Sequence, residues 1–323
     1  MTPQVSIGIP AYNAAGYLEA AIKSALGQSF EDLEIFVCDN RSNDATGAMC
    51  AAIKDPRFRY LRFEDHVGQP GNWNRCVRES RGEFIVLLHA DDLLEKAFVE
   101  QALKALMAAP KAAFVHSAVR HIAQDGRFLV LQRLYETDHE TPGREFFSRL
   151  LEEGCIVSPA GMMVRRDAYD AVGTFYEEVA WSTDWDMWLR LSLHGPVLSL
   201  AEPLASYREH GSSGTAAVVA SGRNGSDELK VIDHVLEILR AKGEDTSVLR
   251  QEAVRRAAHR TWCWAEEACR SGHSRAARRG ILKAVTMDAR LLGGAHVWAL
   301  FLASFLGYAE FQRWQRWRQA LGR

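Results

Sequence analysis

Apolar positions in the first 120 residues switch back and forth between two periods. Residues 5–9 (Val-Ser-Ile-Gly-Ile) are apolar and β-branched and stop at Pro10, which predicts a strand. Residues 14–26 put Leu18, Ala21, Ile22, Ala25 and Leu26 on one side of a helix. The same reading predicts strands over 33–38, 57–62, 84–88 and 113–119, and helices over 44–53, 71–80 and 95–107. Strands alternating with helices at this spacing give an α/β fold with a mostly parallel central sheet and helices on both faces.

Residues 120–215 are less regular. They predict a hairpin around Asp125-Gly126, helices near 144–152 and 184–193, and a strand over 161–165. Beyond Ser221 the pattern is helical, over 227–241, 247–269, 273–289 and 295–319. Gly-Ser-Ser-Gly at 211–214, with Gly222 and Gly225, predicts a mobile loop joining the two parts. The expected division is therefore 1–120, 121–220 and a helical region over 221–323.

The 323 residues are 47% hydrophobic and 25% charged, enough apolar material for a real core. The net charge of −2 argues against a nucleic-acid binder. Charge is uneven, however. From Arg240 onward 16 Lys/Arg face 7 Asp/Glu, a local charge of +9. Cys38, Cys50, Cys76, Cys155, Cys263 and Cys269 show no C-x-x-C spacing, which suits a reducing compartment. Met1 leads into a strand with no basic start and no apolar signal core, so a cytoplasmic protein is expected.

Four polar turns follow the predicted strands: 10–13, 39–44, 66–69 and 89–92. In a parallel sheet such turns converge beyond the carboxyl ends of the strands, where ligands bind. Asp91 and Asp92 follow a buried strand. Adjacent carboxylates repel unless a cation or hydrogen-bond donors offset them. A divalent ion with oxygen ligands is one reading, and a helix N-cap before residues 93–107 is the other. Neither G-x-G-x-x-G nor G-x-x-x-x-G-K-[ST] occurs, so a nucleotide here would need a metal against its diphosphate.

The segments 5–13 (VSIGIPAYN), 28–30 (QSF), 34–44 (EIFVCDNRSND), 81–85 (RGEFI) and 90–92 (ADD), in that order, resemble family 2 glycosyltransferases of bacterial cell-surface glycan synthesis. The resemblance continues through 181–191 and 207–210 and stops before the helical tail. It implies the GT-A fold, a Rossmann-like sheet with a nucleotide-sugar-binding half (1–120) and an acceptor-binding half that carries the catalytic base (121–220). Asp39 would accept from the nucleotide base, which favours a UDP- or dTDP-sugar. Pro10, Ala11, Tyr12, Asn13, Asn40, Gly68, Asn74 and Arg208 would join the donor site. Asp91 would face the ribose, and Asp92 would hold Mg2+ or Mn2+. The family's acidic triplet begins with another Asp, and His89 stands there in this chain.

Residues 181–190 (WSTDWDMWLR) resemble the family's Glu-Asp segment, with Thr183 in place of Glu. Asp184 matches the base of an inverting transfer to a hydroxyl of a glycan or lipid-linked acceptor, with Asp186 as second choice. Helix capping is the structural alternative for both. Trp181, Trp185 and Trp188 offer either a sugar-stacking face or core. His210, before a Gly/Ser stretch, suits a lid that brings a second metal ligand. Two other functions fit less: a sugar-nucleotide-binding protein without transfer activity, and a nucleotidyltransferase, for which residues 11–15 lack Lys and Arg.

Residues 295–311 are the most apolar stretch and are followed by Arg313, Arg316, Arg318 and Arg323 with Trp314 and Trp317. The run is shorter than the ~20 residues that span a bilayer. It suits a helix lying on an anionic membrane, on the inner face of the plasma membrane, through residues 295–323. Packing on the catalytic domain, or on a second subunit in a homodimer, is the alternative.

Overall fold

The computed structural model of the chain describes residues 2–179, 181–211 and 214–321. Its elements in order are β1 (Val5–Ala11), α1 (Leu18–Leu26), β2 (Leu33–Asp39), α2 (Thr46–Ala51), β3 (Phe58–Arg62), α3 (Gly68–Glu79), β4 (Phe84–Leu87), β5 (Leu93–Leu94), α4 (Phe98–Ala108) and β6 (Phe114–Ala123). There follow β7 (Phe128–Gln132), β8 (His139–Thr141), α5 (Gly143–Glu153), β9 (Met162–Arg165), α6 (Arg166–Val172), α7 (Thr183–Ser192) and β10 (Val197–Glu209). The remainder is helical: α8 (Gly214–Ser221), α9 (Asn224–Ala241), α10 (Ser247–Arg270), α11 (Ser274–Met287), a 3-10 turn at Ala289–Gly293, α12 (Ala295–Leu306) and α13 (Tyr308–Leu321).

The chain divides into two compact units. The first comprises Met1–Ser148, Cys155–Glu178 and Met187–Glu209; the second comprises Arg149–Gly154, Val179–Asp186 and His210–Arg323.

The first unit is built on one sheet in the order β3-β2-β1-β4-β9-β6-β10-β5, with β7 beside β6 and β8 beside β10. β1, β2, β3 and β4 are parallel, as are β6 and β10, and antiparallel β9 separates the two groups. β2 is buried at all seven positions, which is why its sequence reads as a continuous apolar run. One face packs Val5, Ile7, Ile9 and Val86 against Leu18, Ala21 and Ile22 of α1 and Phe98, Val99 and Leu103 of α4. Ile85 points the other way and shares an apolar hollow with Trp73 of α3, Val164, Tyr169 and Trp188. Helices thus cover both faces, as the alternating pattern requires.

In the second unit Val231, Ile232, Val235, Leu236 and Leu239 form the buried stripe of α9, and Ala257, Ala258 and Trp262 are buried on α10. Two expectations are corrected here. The stretch expected as a mobile loop contains α8, while Ser212 and Ser213 lie outside the described residues. Gly225 is a packing residue: a Cβ there would sit 2.5 Å from Thr261 Oγ1. Second, the single helix expected over 295–319 is two, because Gly307 adopts φ 93°, a left-handed turn that ends α12. Arg323 lies outside the described residues. Among the described residues no helix is long and apolar enough to cross a membrane.

Candidate active site

The loops after β1 and β2 are tied together. Asn40 N–H donates to Ala11 O at 2.8 Å. Asn13 sits at φ 49°; its N–H donates to Ser42 Oγ at 2.8 Å, and its Oδ1 accepts from Asn43 N–H at 2.9 Å. Ala14 N–H reaches Thr46 Oγ1 at 3.0 Å. A left-handed Asn is tolerable because its short amide supplies the compensating local bond. Pro10, Ala11 and Asn13 therefore form one edge with Asp39 and Asn40. Tyr12, 51% exposed, meets His66 edge-on at 4.4 Å.

Asp39 ends β2 and is buried. Its Oδ1 accepts from Ser42 N–H at 2.8 Å and its Oδ2 from Tyr60 Oη at 2.5 Å. Tyr60 lies on β3, paired across from β2, and was not foreseen: nothing in the local sequence shows that strands 21 residues apart align these groups. Burial, followed by that hydrogen bond, pushes the Tyr60 phenol up, so it stays protonated and donates. Asn40 Oδ1 accepts from Val67 N–H and Arg75, and its Nδ2 donates to Gly68 O at 3.1 Å, fixing the start of α3.

Asn74 was expected in the donor site. It is 1% exposed and holds the segment after α6. Its Nδ2 donates to Phe175 O at 3.1 Å and Glu177 Oε1 at 2.8 Å, while its Oδ1 accepts from Phe175 N–H at 2.6 Å. Buried hydrogen bonds contribute about 1 kcal/mol each, and an orphaned partner costs more. Asn74→Ala should therefore lower stability by roughly 2–4 kcal/mol in denaturant melts. Donor KM should stay unchanged if the side chain does not touch nucleotide.

The second cluster follows β4. Asp92 has no exposed surface. Its Oδ1 accepts from Arg208 N–H at 2.9 Å, whereas buried Oδ2 has no hydrogen-bond partner and faces His89 Nδ1 at 3.7 Å. Arg208 Nε donates to Asp91 O at 2.9 Å, and its NH1 to Ala123 O and Gln124 O. Arg208 thus holds the acidic turn against the β6–β7 hairpin.

One atom each from His89, Asp91 and Asp92 lies within 4.8 Å of the others. Burial, then the Asp91 charge, pushes the Asp92 carboxyl well up, with Arg208 opposing. Burial pushes His89 down, with Asp91 opposing, so its imidazole is neutral and free to ligate. Trp73 stacks on it at 4.8 Å. A buried carboxylate oxygen without a donor, beside a second carboxylate and a neutral imidazole, fits a divalent cation. The sequence signal for His89 in this cluster is its place two residues before Asp91.

The second unit carries the other carboxylates. Asp184, in the first turn of α7, accepts from Trp185 N–H at 2.8 Å, and burial pushes its carboxyl up to about 6. Asp186 is wholly buried and accepts from His234 Nδ1 at 2.6 Å. Trp185 is core, its Nε1 donating to Leu150 O at 3.0 Å with Arg260 over its ring. In the first unit Trp188 packs against Phe114 and Phe175. Neither tryptophan offers a sugar-stacking face. Trp181 meets Trp264 edge-on at 5.8 Å. His210 opens the final stretch of the second unit.

Sheet order, helices on both faces and an acidic turn beyond a central strand define a GT-A-type domain. Residues 6–173, more than half of the chain, match the model of glycosyl transferase family 2, and the chain belongs to that family. Among its relatives, chondroitin synthase of Escherichia coli is 31% identical over 60% of this chain and 27% of that protein. GalNAc(5)-diNAcBac-PP-undecaprenol beta-1,3-glucosyltransferase of Campylobacter jejuni is 34% identical over 35% of this chain and 37% of that enzyme. The chain thus spans well under half the length of either relative. TarS residues 1–349 of S. aureus, solved with UDP-GlcNAc, superpose over 98% of this chain and 92% of theirs at 17% identity, with a TM-score of 0.65.

Proposed function

We propose that the chain moves a hexosyl unit, with inversion, from a UDP- or dTDP-sugar to a hydroxyl of a glycan or lipid-linked acceptor. The observation that carries this reading is the buried Asp92 carboxylate, whose Oδ2 lacks a donor beside Asp91 and His89 at the sheet's carboxyl end. The names of the relatives support it: one is a glucosyltransferase, one a chondroitin synthase, and TarS was solved with a UDP-sugar.

Pro10, Ala11, Tyr12 and Asn13 would line the nucleotide slot. Asp39, its oxygens already aligned by Ser42 and Tyr60, would accept from an imide N–H of uracil or thymine. Asp92 with Asp91 and His89 would hold Mg2+ or Mn2+. Such an ion, when bound, offsets charge on the departing diphosphate. Arg208, Asn40 and Asn74 act by position: they fix the acidic turn, the start of α3 and the segment 175–177.

Asp184 would take the acceptor hydroxyl's proton. Its pKa of about 6 leaves it ionised near neutrality, yet close enough to neutral pH to accept a proton well. Asp186 is less suited, because it is fully buried and already bonded to His234.

A thermal-shift panel of nucleotide sugars with Mn2+ tests the reading. The true donor should raise Tm above its bare nucleotide, since ligands stabilise by mass action. If no UDP- or dTDP-sugar shifts Tm, the donor assignment fails.

A further inference from the structure

The helix α12 is apolar on both sides. Val297, Leu300 and Ala303 face inward at 2%, 0% and 4% exposure and join the core of the second unit. Trp298, Leu302 and Phe305 recur at helical spacing on the opposite side and are 51%, 61% and 61% exposed. A helix with apolar residues on two opposite sides belongs in a buried setting, and this one has only half of it. Leu292, 43% exposed, extends the stripe: the Trp298 indole donates to its carbonyl at 2.9 Å.

The sequence flanking α12 is cationic. Residues 271–323 hold nine Lys/Arg against two Asp/Glu. The Arg278 guanidinium lies 4.3 Å over the Phe305 ring while donating to Ser304 O, so a fixed charge borders the apolar stripe. Arg275, Arg279 and Arg316 are exposed nearby in sequence, and Asp288 is paired with Arg290. Twelve residues of helix reach about 18 Å, far short of a hydrocarbon core of about 30 Å.

We propose that the outer face of α12, Trp298, Leu302 and Phe305 with Arg278 at its border and the exposed Arg275 and Arg316 of the flanking helices, lies on an anionic membrane surface. Charge decides between the candidate occupants. A second copy docked face to face would set one cationic rim against another, which repels. Acidic headgroups complement the rim, while the acyl boundary takes the apolar stripe. The inference concerns the second unit alone and does not depend on which sugar is transferred.

Flotation of the full-length chain with vesicles tests this, without donor or metal. The chain should float with phosphatidylglycerol–phosphatidylcholine vesicles, remain unbound with phosphatidylcholine alone, and release as salt rises. The double variant Leu302→Ser/Phe305→Ser should lose binding by at least about tenfold, since each side chain contributes apolar burial. Arg275→Glu/Arg316→Glu should lose it comparably, with melting temperatures near wild type in both. A wild-type chain that does not float, or variants that float as well as wild type, overturns the proposal. So does light scattering that shows a wild-type dimer which Leu302→Ser/Phe305→Ser converts to monomer, because the stripe would then serve a second copy.

Discussion

Asp184→Asn should lower kcat by about 10²–10⁴-fold, the range expected for loss of a general base, with donor KM little changed. Asparagine can still accept from Trp185 N–H through its Oδ1, so the start of α7 keeps its bond and the variant should fold. The pH dependence supplies an independent check. A base must be ionised to act, so kcat/KM in the wild type should fall as pH drops through about 6, and Asp184→Glu should keep an acid limb. The stability linkage has the matching sign. The folded carboxyl sits above its ordinary value of 3.8, so the native state binds the proton more tightly than the unfolded chain. Unfolding free energy should therefore decline as pH rises from about 4 to about 6, and Asp184→Asn should flatten that slope. If Asp184→Asn retains turnover while Asp186→Asn loses it, the base is the other carboxylate.

Asp92→Asn should lower turnover by a comparable factor, on the order of 10³, if Asp92 anchors the cation that relieves the leaving diphosphate. The variant is conservative in shape. Asparagine Oδ1 can still accept from Arg208 N–H, while the charge on the fully buried carboxylate disappears. Because that charge is held against burial and Asp91, its removal should leave the metal-free protein as stable as wild type or more so. Added Mn2+ should raise Tm in the wild type and not in the variant. An equal Mn2+ shift in both would place the cation elsewhere.

The sheet was legible because its strands are buried on both faces, which writes continuous apolar runs such as 33–38 and 84–88 into the chain. The acidic turn was legible for the same reason, since polar residues after a buried strand must lie at the sheet's end. What one local window cannot show is a partner far along the chain. Asn74 and Arg208 match donor-site positions in sequence, and what the sequence does not show is that their side chains bond Phe175 and Asp91, 101 and 117 residues away. Tyr60 was missed for the mirror-image reason, since its partner Asp39 is 21 residues away. The glycines after 210 misled differently: composition alone does not distinguish a hinge from a close approach, and Gly225 is held against Thr261. Gly307 did break a helix, but the apolar pattern runs across it and hid the turn.

The central claim is that a divalent cation at the Asp92 turn helps the first unit grip a nucleoside diphosphate. Calorimetric titration of UDP into the wild-type chain, once with Mn2+ and once with EDTA, tests it most directly. The account predicts saturable binding with Mn2+ and at least tenfold weaker binding with chelator, about 1.4 kcal/mol or more. Equal affinity under both conditions would contradict it.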